Sequence, residues 1–429
     1  MATGMTSSIS GTQTISSVYE MSTADDVLNI ANAILHLSLP AGDIEMMQGA
    51  DTLTVSNSTV NGDTGVAIKL GSGNDKVTLQ NSTITSRISL ASGDDLVIIA
   101  GSAQSTVTLN ALDPDQTSID TDEDLTTLSL GDGNDILELN AVLAGTGVIR
   151  FGNGVDTLKF NAGTLNNSGG MDKLENLSVT SLGGKTYRDI ILTGTGNQIT
   201  WGGNLVGSDN TKSVIIEAVE NSPKASVSFV TDTNSVSNIG FNISDRTFTQ
   251  SGSGTWEISG RTTDTAFIAD DSIVTIYNAV FTENKTGFAG ENTNWNISNT
   301  EISKNTSKGA IITGGSLTFD DVSFTDNKNA LSLTSASLVG TEGAFTSNQS
   351  DVYGAAIYAQ NGQIDLENTG FKDNTNIVDK TQADSVSATA KGGGIWSTES
   401  YLTISQAEFK NNTAAASAVA VFNNTSAIR

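Results

Sequence analysis

Four aspartates recur at equivalent places in short glycine turns: Asp75 after Gly73-Asn, Asp95 after Gly93-Asp, Asp135 after Gly133-Asn and Asp156 after Gly154-Val. Carboxylates repeated in this way are hard oxygen ligands of the kind calcium takes, and stacked about 4.8 Å apart they would call for a counter-ion. The competing reading is structural, because Asp and Gly are the residues that tight turns select on their own account. The row also looks broken: a degenerate unit, Val107-Thr-Leu109, falls between Asp95 and Asp135. Calcium is thus the one cofactor these residues suggest, and no other cofactor is expected.

Catalytic constellations are harder to find. A glycosidase needs two carboxyls across one sugar bond, and a lyase needs a base with cationic partners. The adjacent pairs Asp270-Asp271 and Asp320-Asp321 are the best carboxylate candidates, but neighbours in a strand point to opposite faces. Arg87, Arg150, Arg188, Arg246, Arg261 and Arg429 are scattered, and His36, the single histidine, reads as an exposed residue near the end of a helix. No Ser-His-Asp arrangement and no phosphate-binding glycine loop stands out. The chain is expected to be non-enzymatic.

The elements that must carry these residues are repeats. In the first half an apolar alternation, a Gly-x-Asp turn and a second alternation form a unit, as in Ile68-Lys-Leu-Gly-Ser-Gly-Asn-Asp-Lys-Val-Thr-Leu79. Starts at 68, 88, 107, 128 and 149 are 19 to 21 residues apart, and Leu53–Val60 returns as Val77–Ile84. In the second half the marker is Phe-x-x-Asn, at Phe281/Asn284, Phe324/Asn327, Phe345/Asn348, Phe371/Asn374 and Phe409/Asn412, with Ile302/Asn305 as a variant copy. The steps are 21, 22, 21, 26 and 38, and the longest contains a polar stretch, Asp379 to Lys391, that reads as a loop inserted into one coil. Short alternating segments at a period of about 21, without helical spacing, predict an all-β, right-handed parallel β-helix of about 20 coils. Stacked Asn side chains would then pass amide hydrogen bonds from coil to coil.

Four segments follow: 1–50, an N-terminal segment and cap; 51–180, coils with Gly-x-Asp turns; 181–264, irregular coils; and 265–429, coils with Phe-x-x-Asn repeats. An open solenoid end exposes strand edges, so a cap is expected. Thr23 to His36 supplies it as a short amphipathic helix, with apolar residues at 27, 30, 31, 34 and 35.

Composition agrees with an exported β protein. There are 43 Gly, 3 Pro and no Cys, charged residues make up 16%, and the net charge of −26 repels phosphate backbones. Nucleic acid is therefore not an expected partner, and no stretch approaches the length of a membrane span. Met1 to Met21 lacks the basic start and apolar centre of a signal peptide, and Phe422–Arg429 reads like the middle of a repeat, so a piece of a longer protein is expected. Asn57, Asn81 and Asn284 stand in Asn-x-Ser/Thr sequences that matter only in a glycosylating host. Trp396, Tyr401, Tyr353 and Tyr358, near the inserted loop, serve either a binding surface or coil packing.

Three Phe-x-x-Asn motifs follow, by 13 or 14 residues, a cluster of small residues ending in Ile: Lys308-Gly-Ala-Ile311, Gly354-Ala-Ala-Ile357 and Gly392-Gly-Gly-Ile395. This pairing resembles the Gly-Gly-Ala-Ile and Phe-x-x-Asn repeats of the polymorphic outer-membrane proteins, over about residues 265 to 425. The resemblance implies an autotransporter-like β-helical passenger displayed outside a bacterial cell, commonly adhesive. The Gly-x-Asp turns resemble the calcium repeats of secreted toxins, although those recur every nine residues. Together these readings predict an extracellular or cell-surface adhesin or display scaffold. Its partner would be a protein or glycan of a host or neighbouring cell, or another copy of itself. A self-assembling surface-layer or filament subunit is the nearest alternative, and a polysaccharide-degrading enzyme or tailspike a third.

Overall fold

A computed structural model describes residues 3–39, 41–63, 67–102, 104–111, 127–180, 182–207, 210–351, 354–376, 393–414 and 421–424. All regular structure among them is strand, and neighbouring strands pair in parallel in a β-solenoid of about 16 turns. The chain divides into two compact units, Met1–Ser208 and Asp209–Arg429.

In the first unit each complete coil supplies three short strands. One column runs through Thr52–Ser56, Lys76–Gln80, Leu96–Ala100, Ile136–Leu139, Thr157–Phe160 and Asn176–Val179. Its alternation places Leu53, Val77, Val97, Leu137, Leu158 and Leu177 in register on the inside, all essentially fully buried. After a corner, Thr59–Gly62, Thr83–Thr85, Thr106–Leu109 and Val142–Gly145 form the second column. Ala67–Lys69, Arg87–Ser89, Leu128–Asp132 and Ile149–Asn153 form the third. No single coil could enclose an interior, so burial is achieved only by stacking. Corners between the first two columns hold Asn57 and Asn81 at φ 49° and 46°, a left-handed conformation that Asn tolerates better than most residues.

The second unit repeats the plan. Phe281, Ile302, Phe324, Phe345, Phe371 and Phe409 occupy one register position in successive coils, which is where the Phe-x-x-Asn period places them. Phe324, Phe345, Phe371 and Phe409 stack ring on ring at 4.6–5.1 Å with interplanar angles of 1–5°. Nearer its start, Phe229, Phe241, Phe248, Trp256 and Phe267 fill the interior with tilted and edge-on contacts instead.

Three expectations are corrected. Residues 23–36 do not form a capping helix: Val27–Leu37 is a strand paired with Thr6–Ile15 on one side and with Thr52–Ser56 and Thr59–Gly62 on the other. Its buried positions are 28, 30, 33, 35 and 37, because Asn32, at φ 51°, makes a corner that slips the alternation by one residue. Two strands with such a slip leave gaps of three that imitate helical spacing.

Val107-Thr-Leu109, second, is not a degenerate copy of the Ile68 unit. It belongs to the second column, pairing with Thr83–Thr85 and Val142–Gly145, and Ile88 pairs directly with Leu128. The turns, third, number about 16 and not 20, since many are longer than 21 residues. Asp26 to Asp51 spans 25 and Asp95 to Asp135 spans 40. The loop expected at Asp379–Lys391 lies outside the described residues.

Candidate functional site

Each Gly-x-Asp turn brings the chain from the third column back to the first. Gly73, Gly93, Gly133 and Gly154 hold φ of 138–152°, a conformation closed to most side chains. The turns also stack closely: a Cβ on Gly93 would sit 1.7 Å from the Gly73 carbonyl oxygen. The aspartate that follows points inward. Asp51, Asp75, Asp95, Asp135 and Asp156 are 0–2% exposed and form one continuous column.

Backbone hydrogen bonds to side chains link the column. The Asp26 N–H donates to Asp51 Oδ1 at 2.7 Å, Asp51 to Asp75 at 2.8 Å, and Asp75 to Asp95 at 2.7 Å. Asp95 donates to Asp135 and Asp135 to Asp156, both at 2.8 Å, and the Asp156 N–H ends the series on Glu175 Oε2 at 2.9 Å. The supposed break between Asp95 and Asp135 is absent.

An outer row runs the opposite way. The Asp94 N–H donates to Asn74 Oδ1, Asn134 to Asp94 Oδ1 and Val155 to Asn134 Oδ1, at 2.8–3.1 Å. Each turn is therefore fastened to the coil on either side. Spacing in the sequence picks out Asp75, Asp95, Asp135 and Asp156 but misses Asp51, Asp26 and Glu175 of the same series, and it gives no indication that the carboxylates face the interior.

Only one oxygen of each buried carboxyl is used. Oδ2 of Asp51, Asp75, Asp95, Asp135 and Asp156 is buried and has no hydrogen-bond partner. Five ionised groups so placed would repel one another by about 3 kcal/mol per adjacent pair at 4.8 Å in a medium of effective dielectric 20. Burial pushes the carboxyls up, to about 6 for Asp51, 7 for Asp75, 8 for Asp95, 7 for Asp135 and 6 for Asp156. The backbone N–H bond to each pulls the other way without cancelling this, and neighbouring acids raise Asp51, Asp75, Asp95 and Asp135 further.

The ends of the column differ. Burial also raises Glu175, to about 7. In Asp26 burial is outweighed by hydrogen bonds from the Met5 N–H and from the Ser22 hydroxyl and N–H, which hold its carboxyl below the ordinary range. Among the described residues no group of three or more His, Asp or Glu side chains is arranged to hold a metal ion.

The second unit has the neutral counterpart. Asn284, Asn305, Asn327, Asn348, Asn374 and Asn412 are buried in one column, and each N–H from Asn284 to Asn374 donates to the next Asn Oδ1 at 3.0–3.1 Å. Their Nδ2 groups donate to backbone carbonyls of the preceding coil, as Asn348 does to Phe324 at 2.8 Å. From Asn305 to Asn374 the Nδ2 also reaches the next Asn Oδ1, at 2.9–3.1 Å. Both ends of the amide are thus occupied.

Other candidates are dispersed. His36 is exposed on a strand, in register with Thr14 and Asn61. Asp270 ends the strand Thr265–Asp270, whereas Asp320 lies on Ser316–Thr325 and accepts from the Thr341 hydroxyl at 2.6 Å. Asp271 and Asp321 are corner residues at φ 47° and 52°.

The arginines of the irregular coils turn inward to the backbone, which the sequence did not disclose. Arg246 donates to the Glu217 carbonyl, and Arg261 to those of Lys212, Asn238 and Thr265. Arg188 donates to the carbonyls of Asn167 and Gly169. Tyr358 and Trp396 stack at 4.9 Å and are half-buried, Tyr401 is 70% exposed, and Tyr353 lies outside the described residues. Asn57 and Asn81 are exposed corners, while Asn284 is sealed inside its column.

No protein-family model and no curated protein sequence matches the chain. Among solved structures it is similar to the A-module of the Azotobacter vinelandii mannuronan C-5 epimerase AlgE6, at 13% identity and a TM-score of 0.18, over 94% of this chain and 91% of that one. That protein is an enzyme, and the expectation of a non-enzymatic chain is corrected on this finding. A likeness this slight carries no residue, substrate or reaction across. What stands is a parallel β-solenoid held by two kinds of side-chain column.

Proposed function

We propose that the chain is an exported, cell-surface β-solenoid that acts as an adhesive or display scaffold, with its outward faces as the contact surface. One observation carries the reading: the buried side chains that recur from coil to coil fasten the coils together, while an outward position on the same strands changes type along the stack. At one outward position the first unit presents Thr54, Thr78, Ile98, Glu138, Lys159 and Ser178 in succession. A fixed interior with a freely varied exterior suits a surface that meets proteins or glycans of other cells, or other copies of the chain. The lack of cysteine and the net charge of −26 are compatible with export. The resemblance of the second-unit repeats to those of polymorphic outer-membrane proteins supports the same assignment.

The test is antibody labelling of intact producing cells, with saturable binding of the fluorescent purified chain to those cells, to host cells or to itself. Labelling without permeabilisation and saturable binding are expected. Labelling only after permeabilisation, or digestion of a polysaccharide by the purified chain, would replace this reading.

A further inference from the structure

The two columns perform the same task with different chemistry. Both accept a backbone N–H of the preceding coil on Oδ1, but where the amide has a donor on Nδ2, the carboxylate has a second acceptor. In the Asn column that donor is satisfied by a backbone carbonyl and by the next Asn. In the Asp column the corresponding Oδ2 atoms are buried and unpartnered in five successive coils. A proton on Oδ2 removes the charge and turns the acceptor into a donor, giving the carboxyl the hydrogen-bonding character of the amide.

We propose that Asp51, Asp75, Asp95, Asp135 and Asp156 form a proton-binding spine, neutral in mildly acidic surroundings, that holds the coils of the first unit together and loosens as it ionises. The charged and titratable groups that act on most of the spine do not supply the missing counter-charge. Asp25 and Asp26 act on Asp51, Asp94 on Asp95, and Asp94 and Asp132 on Asp135, all with the same sign. Lys173 favours ionisation only at the far end, beside Asp156 and Glu175. Carboxyls whose folded values lie above the ordinary 3.8 bind more protons in the folded state than in the unfolded one. Their contribution to stability is therefore full below about pH 4 and is lost as pH rises through about 6 to 8.

Hydrogen exchange followed by mass spectrometry on the full chain tests this, between pH 5 and 8 and with intrinsic exchange rates divided out. Peptides covering Gly73–Leu79 and Gly133–Leu139 should lose protection on the order of tenfold or more toward pH 8. Peptides covering Asn327 and Asn348 serve as the reference. A triple Asp75→Asn, Asp95→Asn, Asp135→Asn variant should remove most of this dependence and exceed the unaltered chain in protection at pH 8. If the triple variant does not fold, Asp95→Asn alone should reduce the dependence in the same direction.

Protection that is flat or rises toward pH 8, or a pH dependence unchanged by the Asn variants, overturns the proposal. Millimolar calcium at pH 8 separates the other occupant. Restored protection in the unaltered chain but not in the Asn variant would make the spine a cation site and overturn the proton assignment, whereas no effect of calcium supports it.

Discussion

Asn348 shows what one column residue does. Its Oδ1 accepts from the Asn327 N–H and Nδ2, and its own Nδ2 donates to the Phe324 carbonyl and to Asn374 Oδ1. Asn348→Ala leaves several of these groups buried without partners, at about 1–3 kcal/mol each, so a loss of about 3 kcal/mol or more is expected in a denaturant titration. Asn348→Asp is more informative. Its second oxygen would face a carbonyl as an acceptor when ionised and as a donor when protonated, so the variant should be markedly less stable at pH 8 than at pH 5. Equal stability at both would show that the amide hydrogens matter little.

The spacing of Phe-x-x-Asn made this column legible in the sequence, because only stacking explains a recurring amide beside a recurring ring. The Asp column was legible as a repeat but not as an interior feature, since turn-favouring Asp looks the same whichever way it points. The sixth residue pair, Ile302/Asn305, was recoverable because the period demanded it.

At the scale of the element, the turn glycines are the strictest positions. Gly93 combines a φ of 138° with an approach to the Gly73 carbonyl that leaves no room for a methyl group. Gly93→Ala must both strain the backbone and force neighbouring coils apart, and a loss of about 3 kcal/mol or more in thermal unfolding is expected. A loss under about 0.5 kcal/mol would mean that the turns are not packed as described.

The strands themselves followed from alternation, and Leu53–Val60 and Val77–Ile84 pair in the register their likeness implies. Alternation failed where a corner interrupts it. The left-handed Asn32 shifts the phase by one and made a strand look like a helix, although Asn57 and Asn81 mark equivalent corners in the next coils. Val107-Thr-Leu109 misled for a related reason. Each coil carries three similar apolar triplets, and a triplet alone does not tell which column it joins.

For the molecule as a whole, period and composition were enough for the fold class, and less informative about the number of turns, which depends on how many residues each coil spends in its loops. The division at Ser208 and Asp209 has no sequence signal beyond a blurred period. That region is also where Arg188, Arg246 and Arg261 replace the regular columns by donating to backbone carbonyls. Long polar side chains do there what short ones do elsewhere, so the repeat fades although the solenoid continues within each unit.

The central claim is that inward repeated residues build the solenoid and outward variable ones do its work. It is tested most directly by measuring unfolding and cell or self binding side by side in one inward and one outward set of variants. Asn327→Ala with Asn348→Ala should lower the unfolding midpoint sharply. Tyr401→Ser with Thr54→Lys and Thr78→Lys should leave stability within about 1 kcal/mol and change binding severalfold. Unchanged binding in the outward set, or an unfolding midpoint indifferent to the inward set, would contradict the account.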